Sequence, residues 1–334
     1  MQKTGKPAPS GSLSTFVPRR FLGTGHLQTL AGNYLPRPHT LPAPEARLFQ
    51  VEPEVQVLCH CHWQPERARA MTVIVVHGLE GSSESQYMYG LGSKAWAEGM
   101  NVVRMNMRTC GGTEGLAPTL YHNGLGSDVG AIVEELIRAD KLERVAMVGY
   151  SMGGNLVLYR AGTWGREAPP QLKAVCAVSP AMDLATSADA LNEPANFAYQ
   201  WHFVRRLKQR FRRKAALLPD RYDATRTRGI RTIREFDDQI TAPYSGYGDA
   251  DTYYARCSAS QHLDRITVPT LILHALDDPF IRVSEESRAR ARANANITYI
   301  ESEHGGHCAF LADPNGYDGR WAEREVVAFL KNHG

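Results

Sequence analysis

Short, mostly apolar runs recur along this 334-residue chain, and each is bounded by polar or turn-forming residues. Runs of this kind are typical of parallel strands that are buried on both faces of a sheet. They predict strands at residues 73–76, 102–107, 145–148, 174–178, 271–274 and 297–300. Residues 55–63 instead alternate apolar and polar side chains, which predicts an antiparallel strand at an edge of the sheet.

The segments between the strands carry helical signals, with apolar residues at helical spacing and turn residues at their ends. They predict helices at residues 87–98, 127–138, 153–164, 284–293 and 319–332. A regular alternation of strands and helices indicates an α/β protein with a mostly parallel, doubly wound sheet. We therefore expect one large α/β core.

The alternation stops at residues 183–262, where helical signals continue without a strand run. We interpret this segment as a helical cap inserted into an α/β core that comprises residues 46–182 and 263–334. Residues 1–45 are rich in proline and glycine, which predicts an irregular N-terminal arm.

One helix of the predicted cap has a strongly basic surface. Apolar residues recur at positions 204, 207, 211, 215 and 218, and basic residues occupy most of the positions between them. The basic residues are Arg205, Arg206, Lys208, Arg210, Arg212, Arg213 and Lys214. Two interpretations stay open: the basic face is simply solvated, or it makes a weak contact with anionic membrane surfaces or phosphate-bearing substrates.

Composition narrows the functional classes. Hydrophobic residues make up 43% of the chain and charged residues 22%, and the formal net charge of +3 is too small to indicate a nucleic-acid partner. No apolar run approaches the roughly 18 residues of a membrane-spanning helix, and the N-terminus lacks the apolar core of a signal peptide. The six cysteines are sparse, which favours free thiols and a cytoplasmic location.

The run Gly149, Tyr150, Ser151, Met152, Gly153 lies between a predicted strand and a predicted helix. A serine with glycines two residues away on either side is typical of a nucleophile elbow, a sharp turn that leaves room only for small neighbours. Ser151 is therefore the candidate nucleophile.

A serine hydroxyl needs a histidine to remove its proton and a carboxylate to orient that histidine. In this fold the chain order is serine, acid, histidine, and Asp278 and His307 follow two successive predicted strands after Ser151. Asp277 is the competing acid, which we interpret as capping the turn. His304 is the competing histidine, which we interpret as a surface residue because two glycines precede His307 and let its backbone approach the elbow.

An oxyanion hole requires backbone N–H groups near the nucleophile. We expect one from Met152, directly after the serine, and one from Leu79, in the glycine-containing loop after the strand at 73–76. The Cys-His-Cys-His run at 59–62 lacks zinc-site spacing and points alternately to two faces of a strand, so we expect no metal there.

Four motifs extend this set: Gly-His-Leu-Gln-Thr at 25–29, His-Gly-Leu-Glu-Gly-Ser-Ser at 77–83, Tyr-His-Asn-Gly at 121–124 and Gly-Tyr-Ser-Met-Gly-Gly-Asn at 149–155. With them, nearly the whole chain resembles the YheT-like, or family-4, branch of the α/β-hydrolase superfamily. That branch includes bacterial esterases, eukaryotic medium-chain ester synthases and phospholipid lipases. The chain departs from the family pattern at Thr109 and Asn123, where glycine and serine are more usual.

The resemblance implies that Ser151, Asp278 and His307 catalyse hydrolysis of a small-molecule or lipid ester with a short to medium acyl chain. It implies no cofactor and no metal. Transfer of the acyl group to an alcohol, and lipase or phospholipase activity on the same triad, stay open as alternatives. A ligand-binding protein that has lost turnover is the alternative outside catalysis.

Overall fold

The structure, a computed structural model, describes residues 14–334, so the first part of the predicted arm, residues 1–13, lies outside the described residues. Within residues 14–334 the strands are β1 (Glu45–Glu52), β2 (Val55–His62), β3 (Thr72–Val76), β4 (Asn101–Met105), β5 (Val145–Tyr150), β6 (Leu172–Val178), β7 (Thr270–Ala275) and β8 (Ile297–Ser302). The α-helices of the same range are α1 (Gly25–Tyr34), α2 (Gln86–Ala97), α3 (Gly126–Asp140), α4 (Met152–Trp164), α5 (Leu184–Leu191), α6 (Phe197–Leu217), α7 (Ile233–Phe236), α8 (Ala242–Tyr244), α9 (Ala250–Cys257), α10 (Glu285–Ala293) and α11 (Trp321–His333).

All eight strands described form one sheet in the order β1-β2-β4-β3-β5-β6-β7-β8. The strands from β4 to β8 pair in parallel, whereas β2 is antiparallel to both β1 and β4. Every residue of β3, β4, β5 and β7 is buried, as expected for strands covered on both faces. The predicted α/β-hydrolase class with a mostly parallel, doubly wound sheet is confirmed.

Helices cover the two faces of this sheet and give two apolar cores. One core contains residues of α3 and α4 together with the helices between β6 and β7. The other contains residues of α2 and α11, and Phe16 and Leu41 of the N-terminal segment pack into it. The carboxyl ends of the parallel strands meet at one edge, where this class of fold places its ligand sites.

The sequence prediction was wrong about the edge of the sheet. Residues 55–62 do form an antiparallel strand, but β2 is interior because β1 pairs with its outer side. Strand β1 was not predicted, because Phe49 is its one buried residue and its sequence therefore lacks apolar alternation. β1 supplies the true edge.

The prediction of an irregular arm was also wrong in part. Residues 25–34 form the regular helix α1, whose N-cap Thr24 accepts a hydrogen bond from Leu27 N–H. The buried residues of α1 are polar or glycine, and its apolar side chains lie on the exposed face. The helix therefore lacks the buried apolar stripe from which helices are usually predicted. Among the helices that the structure describes, none is long and apolar enough to cross a membrane.

Helices α5 to α9 lie between β6 and β7, and no strand interrupts this fully described stretch. This is the segment that the sequence interpretation assigns to a cap, and the division of the chain into arm, core and cap stays a prediction. The basic helix of that segment is α6, and two of its seven basic residues are buried. Arg210 and Lys214 are 6% and 1% exposed, since both side chains turn towards the loops of the core.

Candidate active site

Ser151 stands at a sharp turn between β5 and α4. Its φ of 55° and ψ of −118° lie outside the regions that residues with a side chain favour, so the turn stores strain. A Cβ atom at Gly153 would overlap the carbonyl oxygen of Val76, and one at Gly149 would overlap the backbone of Gly153. The two glycines are therefore required by the close approach of the strand and helix, which is the steric condition of a nucleophile elbow.

Asp278 and His307 form a close pair. Asp278 follows β7 and is fully buried, and its Oδ2 lies 2.8 Å from Nδ1 of His307. The other carboxylate oxygen accepts N–H bonds from Phe280 and Ile281, at 3.1 and 2.9 Å. These bonds fix the carboxylate, and Nε2 is the ring nitrogen of His307 that does not contact Asp278.

The electrostatics of the pair favour a carboxylate beside a basic imidazole. Burial opposes ionisation of Asp278, but the charge and hydrogen bond of His307 hold the pKa of Asp278 below its usual value. Burial likewise opposes protonation of His307, yet the neighbouring Cys308 sulfur and the Asp278 carboxylate together raise the pKa of His307. The pair can thus hold a proton that arrives at Nε2.

Ser151 and His307 line the same cavity, about 580 Å³ in volume. Nε2 of His307 lies 3.7 Å from Sγ of Cys308, and within residues 14–334 no hydrogen bond joins Ser151 Oγ to the ring. Catalytic hydrogen bonds in unliganded enzymes are often long and tighten when substrate binds.

The competing acid and histidine pair with each other and not with His307. Asp277 Oδ2 lies 3.3 Å from Nδ1 of His304, and its Oδ1 accepts the N–H of Gly306 at 2.8 Å. The His304 side chain is 42% exposed. This second pair braces the loop that carries His307.

The loop after β3 presents Leu79 beside Ser151. The N–H of Gly78 is engaged by the hydroxyl of Tyr87 at 2.9 Å, whereas Leu79 lines both cavities that open at the serine. Met152 is the first residue of α4, and N–H groups of a first helical turn have no partner within their helix. Leu79 and Met152 are thus placed next to the nucleophile from two different elements.

A buried histidine fixes the shape of this loop. His77 Nε2 accepts the N–H of Met107 at 3.1 Å, and Nδ1 lies 2.8 Å from the carbonyl oxygen of Gly78. Burial lowers the pKa of His77 to about 4, so the ring is neutral and can make both bonds. His77 is a structural brace for Gly78 and Leu79.

The sequence model of the family described as alpha/beta hydrolase fold matches residues 72–314, and these contain Ser151, Asp278 and His307. "Putative esterase YheT" of Escherichia coli (strain K12) is 32% identical over 327 residues, covering 96% of this chain and 94% of that protein. The chain belongs to the α/β-hydrolase family. It is a hydrolase-type enzyme, and its resemblance to the YheT-like branch is confirmed.

Two further matches agree with this family. The monoacylglycerol lipase of Saccharomyces cerevisiae is 27% identical over 269 residues, covering 78% of this chain and 58% of that protein. The structure of an esterase of Pyrococcus furiosus superposes with a TM-score of 0.56 at 16% identity, covering 89% of this chain and 99% of that one. At that identity the structural likeness shows the fold alone.

In this α/β hydrolase, a buried ion pair that the sequence did not predict joins α6 to the loop of Leu79. Glu80 accepts hydrogen bonds from Arg210 Nε at 2.8 Å and from the Tyr121 hydroxyl at 2.7 Å. Glu80 also has a φ of 58°, which is unusual for a residue with a side chain. Glu80 lies in the 77–83 motif, but nothing in the sequence identified Arg210 as its partner.

Helix α1 of the hydrolase holds the loop of His307 from the other side. Thr29 Oγ1 accepts the N–H of His307 at 2.9 Å and donates to the carbonyl oxygen of Gly25 at 2.6 Å. Gln28 binds both the N–H and the carbonyl of Leu311, at 2.8 and 3.0 Å. The motif at 25–29 was the one available signal for this role.

Two cavities of the hydrolase meet at the serine. The larger one, the outer cavity, lies between α1 and the first turns of α6. The smaller one, the inner cavity, is about 100 Å³ and lies beneath the helices between β6 and β7. Leu79, Ser151, Phe203 and Phe280 line both cavities. Most of the inner lining is apolar, and it includes Leu184, Leu191, Leu207, Phe211, Ile233 and Phe236.

Proposed function

We propose that this α/β hydrolase is a serine carboxylesterase that cleaves esters with short to medium acyl chains through a covalent acyl-enzyme. One observation carries the proposal. His307, oriented by the buried Asp278, opens into the same cavity as Ser151 on its strained turn. A general base and a nucleophile that share one cavity are what acyl transfer requires.

In the proposed mechanism, Ser151 Oγ attacks the ester carbonyl carbon while Nε2 of His307 takes the hydroxyl proton. The N–H groups of Leu79 and Met152 stabilise the oxyanion. His307 then returns the proton to the leaving alcohol, and the acyl group stays on Ser151. Water, deprotonated by His307, attacks the acyl carbon of the acyl-enzyme. The bond to Ser151 Oγ breaks, His307 returns the proton to Oγ, and the acid is released. Asp278 stabilises the imidazolium in both halves of the cycle.

The two cavities suggest where the two halves of the ester bind. The inner cavity is narrow and apolar, which suits an acyl chain. The outer cavity also contains polar groups such as His26, Asn33 and Arg37, which suit the alcohol portion and the attacking water. No step of this mechanism uses a metal or a cofactor.

An acyl transferase or a lipase would use the same first step. The yeast relative is named a monoacylglycerol lipase, which supports a lipid ester as the second candidate substrate. Product analysis in the presence of ethanol separates the two outcomes for the acyl group: free acid indicates hydrolysis and ethyl ester indicates transfer. A cytoplasmic location is part of the proposal, supported by the six free cysteines.

A fluorophosphonate probe tests the nucleophile directly. We expect wild-type protein to be labelled, Ser151→Ala to be unlabelled, and Ser187→Ala, a change at another serine of the inner cavity, to be labelled normally. A series of p-nitrophenyl esters of increasing acyl length then measures the depth of the inner cavity. Labelling that is absent from wild type, or that persists in Ser151→Ala, would refute the proposal and favour a ligand-binding protein without turnover.

A further inference from the structure

Helix α1 has its polarity reversed. Its buried residues are Gly25, Gln28, Thr29 and Gly32, whereas apolar side chains are exposed on its outer face. Leu27 is 47% exposed, Leu30 45% and Tyr34 74%. A surface helix ordinarily buries its apolar side and exposes its polar side.

Contacts on the inner face of α1 explain its buried small and polar residues, but they do not explain the apolar residues on its outer face. A Cβ atom at Gly25 would overlap the carbonyl oxygen of Asp277, and Gln28 and Thr29 make the hydrogen bonds that hold the loop of His307. Small and polar residues are therefore needed inside. Within residues 14–334, Leu27 on the outer face neither packs into an apolar core nor lines a cavity, and a polar residue there would be more soluble.

Helix α6 adds a second exposed apolar face beside the first. Phe197 is 70% exposed and Trp201 54%, and their spacing of four residues places them on one side of the helix. The two helices are in contact, because the rings of His26 and Tyr199 stack with centroids 5.7 Å apart. We call Leu27, Leu30, Tyr34, Phe197 and Trp201 the mouth patch, since Leu30, Tyr34 and Trp201 line the outer cavity.

The surroundings of the mouth patch are basic. Neither residues 14–44 nor residues 197–217 contain an aspartate or glutamate. The guanidinium of Arg205 lies 5.3 Å from the centre of the Trp201 ring. Next to that ring is a polar pocket of about 310 Å³, lined by Arg205, Arg206, Arg210 and Arg213. Glu80 pairs with Arg210 and lies 3.8 Å from Arg206, and Glu114 pairs with Arg213. Four guanidinium groups against two carboxylates leave the pocket with a net positive charge.

We infer that the mouth patch and the adjoining arginine pocket dock on the surface of an anionic phospholipid bilayer. The exposed aromatic and leucine side chains enter the interface, and Arg205 and its neighbours bind headgroup phosphates. A protein partner or a second copy of the chain in this position would cover the entrance to the outer cavity. A lipid surface at the mouth patch would instead supply ester molecules to the outer cavity. The supply of substrate by the membrane rests on the proposed esterase function.

Vesicle sedimentation of the full-length protein tests the inference. Anionic vesicles contain phosphatidylcholine and phosphatidylglycerol, and neutral vesicles contain phosphatidylcholine alone. Leu27 and Phe197 belong to the mouth patch but do not line the outer cavity. We expect Leu27→Ser/Phe197→Ser to weaken binding to the anionic vesicles roughly tenfold. The matched control is Leu48→Ser/Leu217→Ser, which changes two side chains that are 46% and 56% exposed elsewhere, and it should bind like wild type.

The charge contribution is tested on α6 alone. Arg205→Gln should weaken binding to the anionic vesicles about fivefold, and Arg212→Gln, an exposed arginine of α6 outside the pocket, should not. Wild-type protein should bind vesicles of pure phosphatidylcholine more weakly than anionic ones. Equal binding to both vesicle types, or no effect of Leu27→Ser/Phe197→Ser, would overturn the inference.

Two further measurements separate the outcomes. Activity on a soluble p-nitrophenyl ester should be unchanged in Leu27→Ser/Phe197→Ser, while activity on an ester embedded in anionic vesicles should fall with binding. A wild-type dimer that dissociates in this variant without loss of vesicle binding would identify the patch as a contact between copies and refute lipid docking. Vesicle binding that persists while Ser151 fails to react with a fluorophosphonate would refute the proposed function and leave the docking surface in place.

Discussion

Two acidic residues adjacent in the chain have different surroundings and therefore different expected roles. Asp278 is fully buried and contacts Nδ1 of His307, while Asp277 contacts the half-exposed His304 and the backbone of Gly306. Only the carboxylate of Asp278 can orient the ring that opens towards Ser151. The choice between the two acids is thus a matter of which histidine each one reaches.

Replacing each acid with its amide tests this assignment. Asp278→Asn should lower kcat by about 10⁴-fold, because an amide favours the wrong tautomer of His307. Asp277→Asn should change kcat little, because the amide oxygen can still accept the N–H of Gly306. The measurement is steady-state hydrolysis of a soluble ester by both variants. A larger loss in Asp277→Asn would mean that the acid has been assigned incorrectly.

The raised pKa of His307 sets the pH dependence. The neutral ring is the base, so kcat/KM should rise with pH through the pKa of His307, and this limb should lie above the ordinary histidine value of about 6.5. In Asp278→Asn the pKa of His307 should fall, because the carboxylate that favours the imidazolium is gone. NMR titration of the imidazole, assigned with His307→Gln, measures both values. An unchanged pKa in Asp278→Asn would contradict the stated cause.

At the scale of single residues, the sequence was most informative about the candidate triad, because its residues follow a set order along the chain. Ser151, Asp278 and His307 were predicted as the candidate triad because each follows a recognisable strand in the order that this fold requires. The pairing of Glu80 with Arg210 was not predicted, since the two residues are 130 positions apart and a basic run on a helix usually indicates a solvated face. The partner of a buried charge that lies far away in the chain cannot be predicted from the residues around either member of the pair.

At the scale of elements, α6 and the loop of Leu79 act as one unit. Arg210 binds the Glu80 carboxylate and the carbonyl oxygen of Thr109, and Arg206 donates to the carbonyl oxygen of Glu80 at 3.0 Å. The side chains of Glu80 and Arg210 are 3% and 8% exposed. A buried, hydrogen-bonded pair of this kind favours one position of the helix over the loop. We expect it to fix the direction of the Leu79 N–H.

Removing one member of the Glu80–Arg210 pair should lower the free energy of unfolding more than removing both. Arg210→Met removes the closest charged partner of the buried Glu80 carboxylate, which keeps only the Tyr121 hydroxyl and Arg206 at 3.8 Å. The change should lower the free energy of unfolding by about 3 kcal/mol. Glu80→Gln/Arg210→Met removes both charges and should recover part of that loss. Urea unfolding of the two variants measures the difference, with Arg212→Met, at an exposed position of the same helix, as the control.

The double variant also tests whether the ion pair positions the Leu79 N–H. In Glu80→Gln/Arg210→Met, kcat should fall more than KM rises, because the Leu79 N–H stabilises charge that develops in the transition state. A change confined to KM would indicate that the pair shapes the inner cavity instead. Comparing kcat and KM for short and medium acyl esters distinguishes the two.

The elements that the sequence missed share a physical reason. β1 and α1 have few buried apolar residues, so neither shows the period from which a strand or helix is predicted. They are held by partners elsewhere in the chain: β1 by its ladder with β2, and α1 by the loop that follows β8. Tertiary contacts decide the structure of such segments, and those contacts are not visible locally.

For the whole molecule, two residues at the start of the described chain, Phe16 and Leu41, belong to an apolar core. Phe16 is 8% exposed, and its ring centroid lies 5.6 Å from that of Phe310 and 5.4 Å from that of Trp321. Phe310 follows His307 closely in the chain and Trp321 begins α11. The start of the described chain therefore packs against the segment that carries the base, on the opposite face of the sheet from the helices between β6 and β7.

This arrangement predicts a stability effect far from the site. Phe16→Ala should lower the free energy of unfolding by about 3–5 kcal/mol, since it removes a buried ring and leaves a cavity between Phe310 and Trp321. The adjacent Val17 is 67% exposed, so Val17→Ala is the matched control and should change stability by less than about 0.5 kcal/mol. Urea unfolding measures both values. If Phe16→Ala proved as stable as Val17→Ala, the segment would be a loosely attached arm and not a layer of the core.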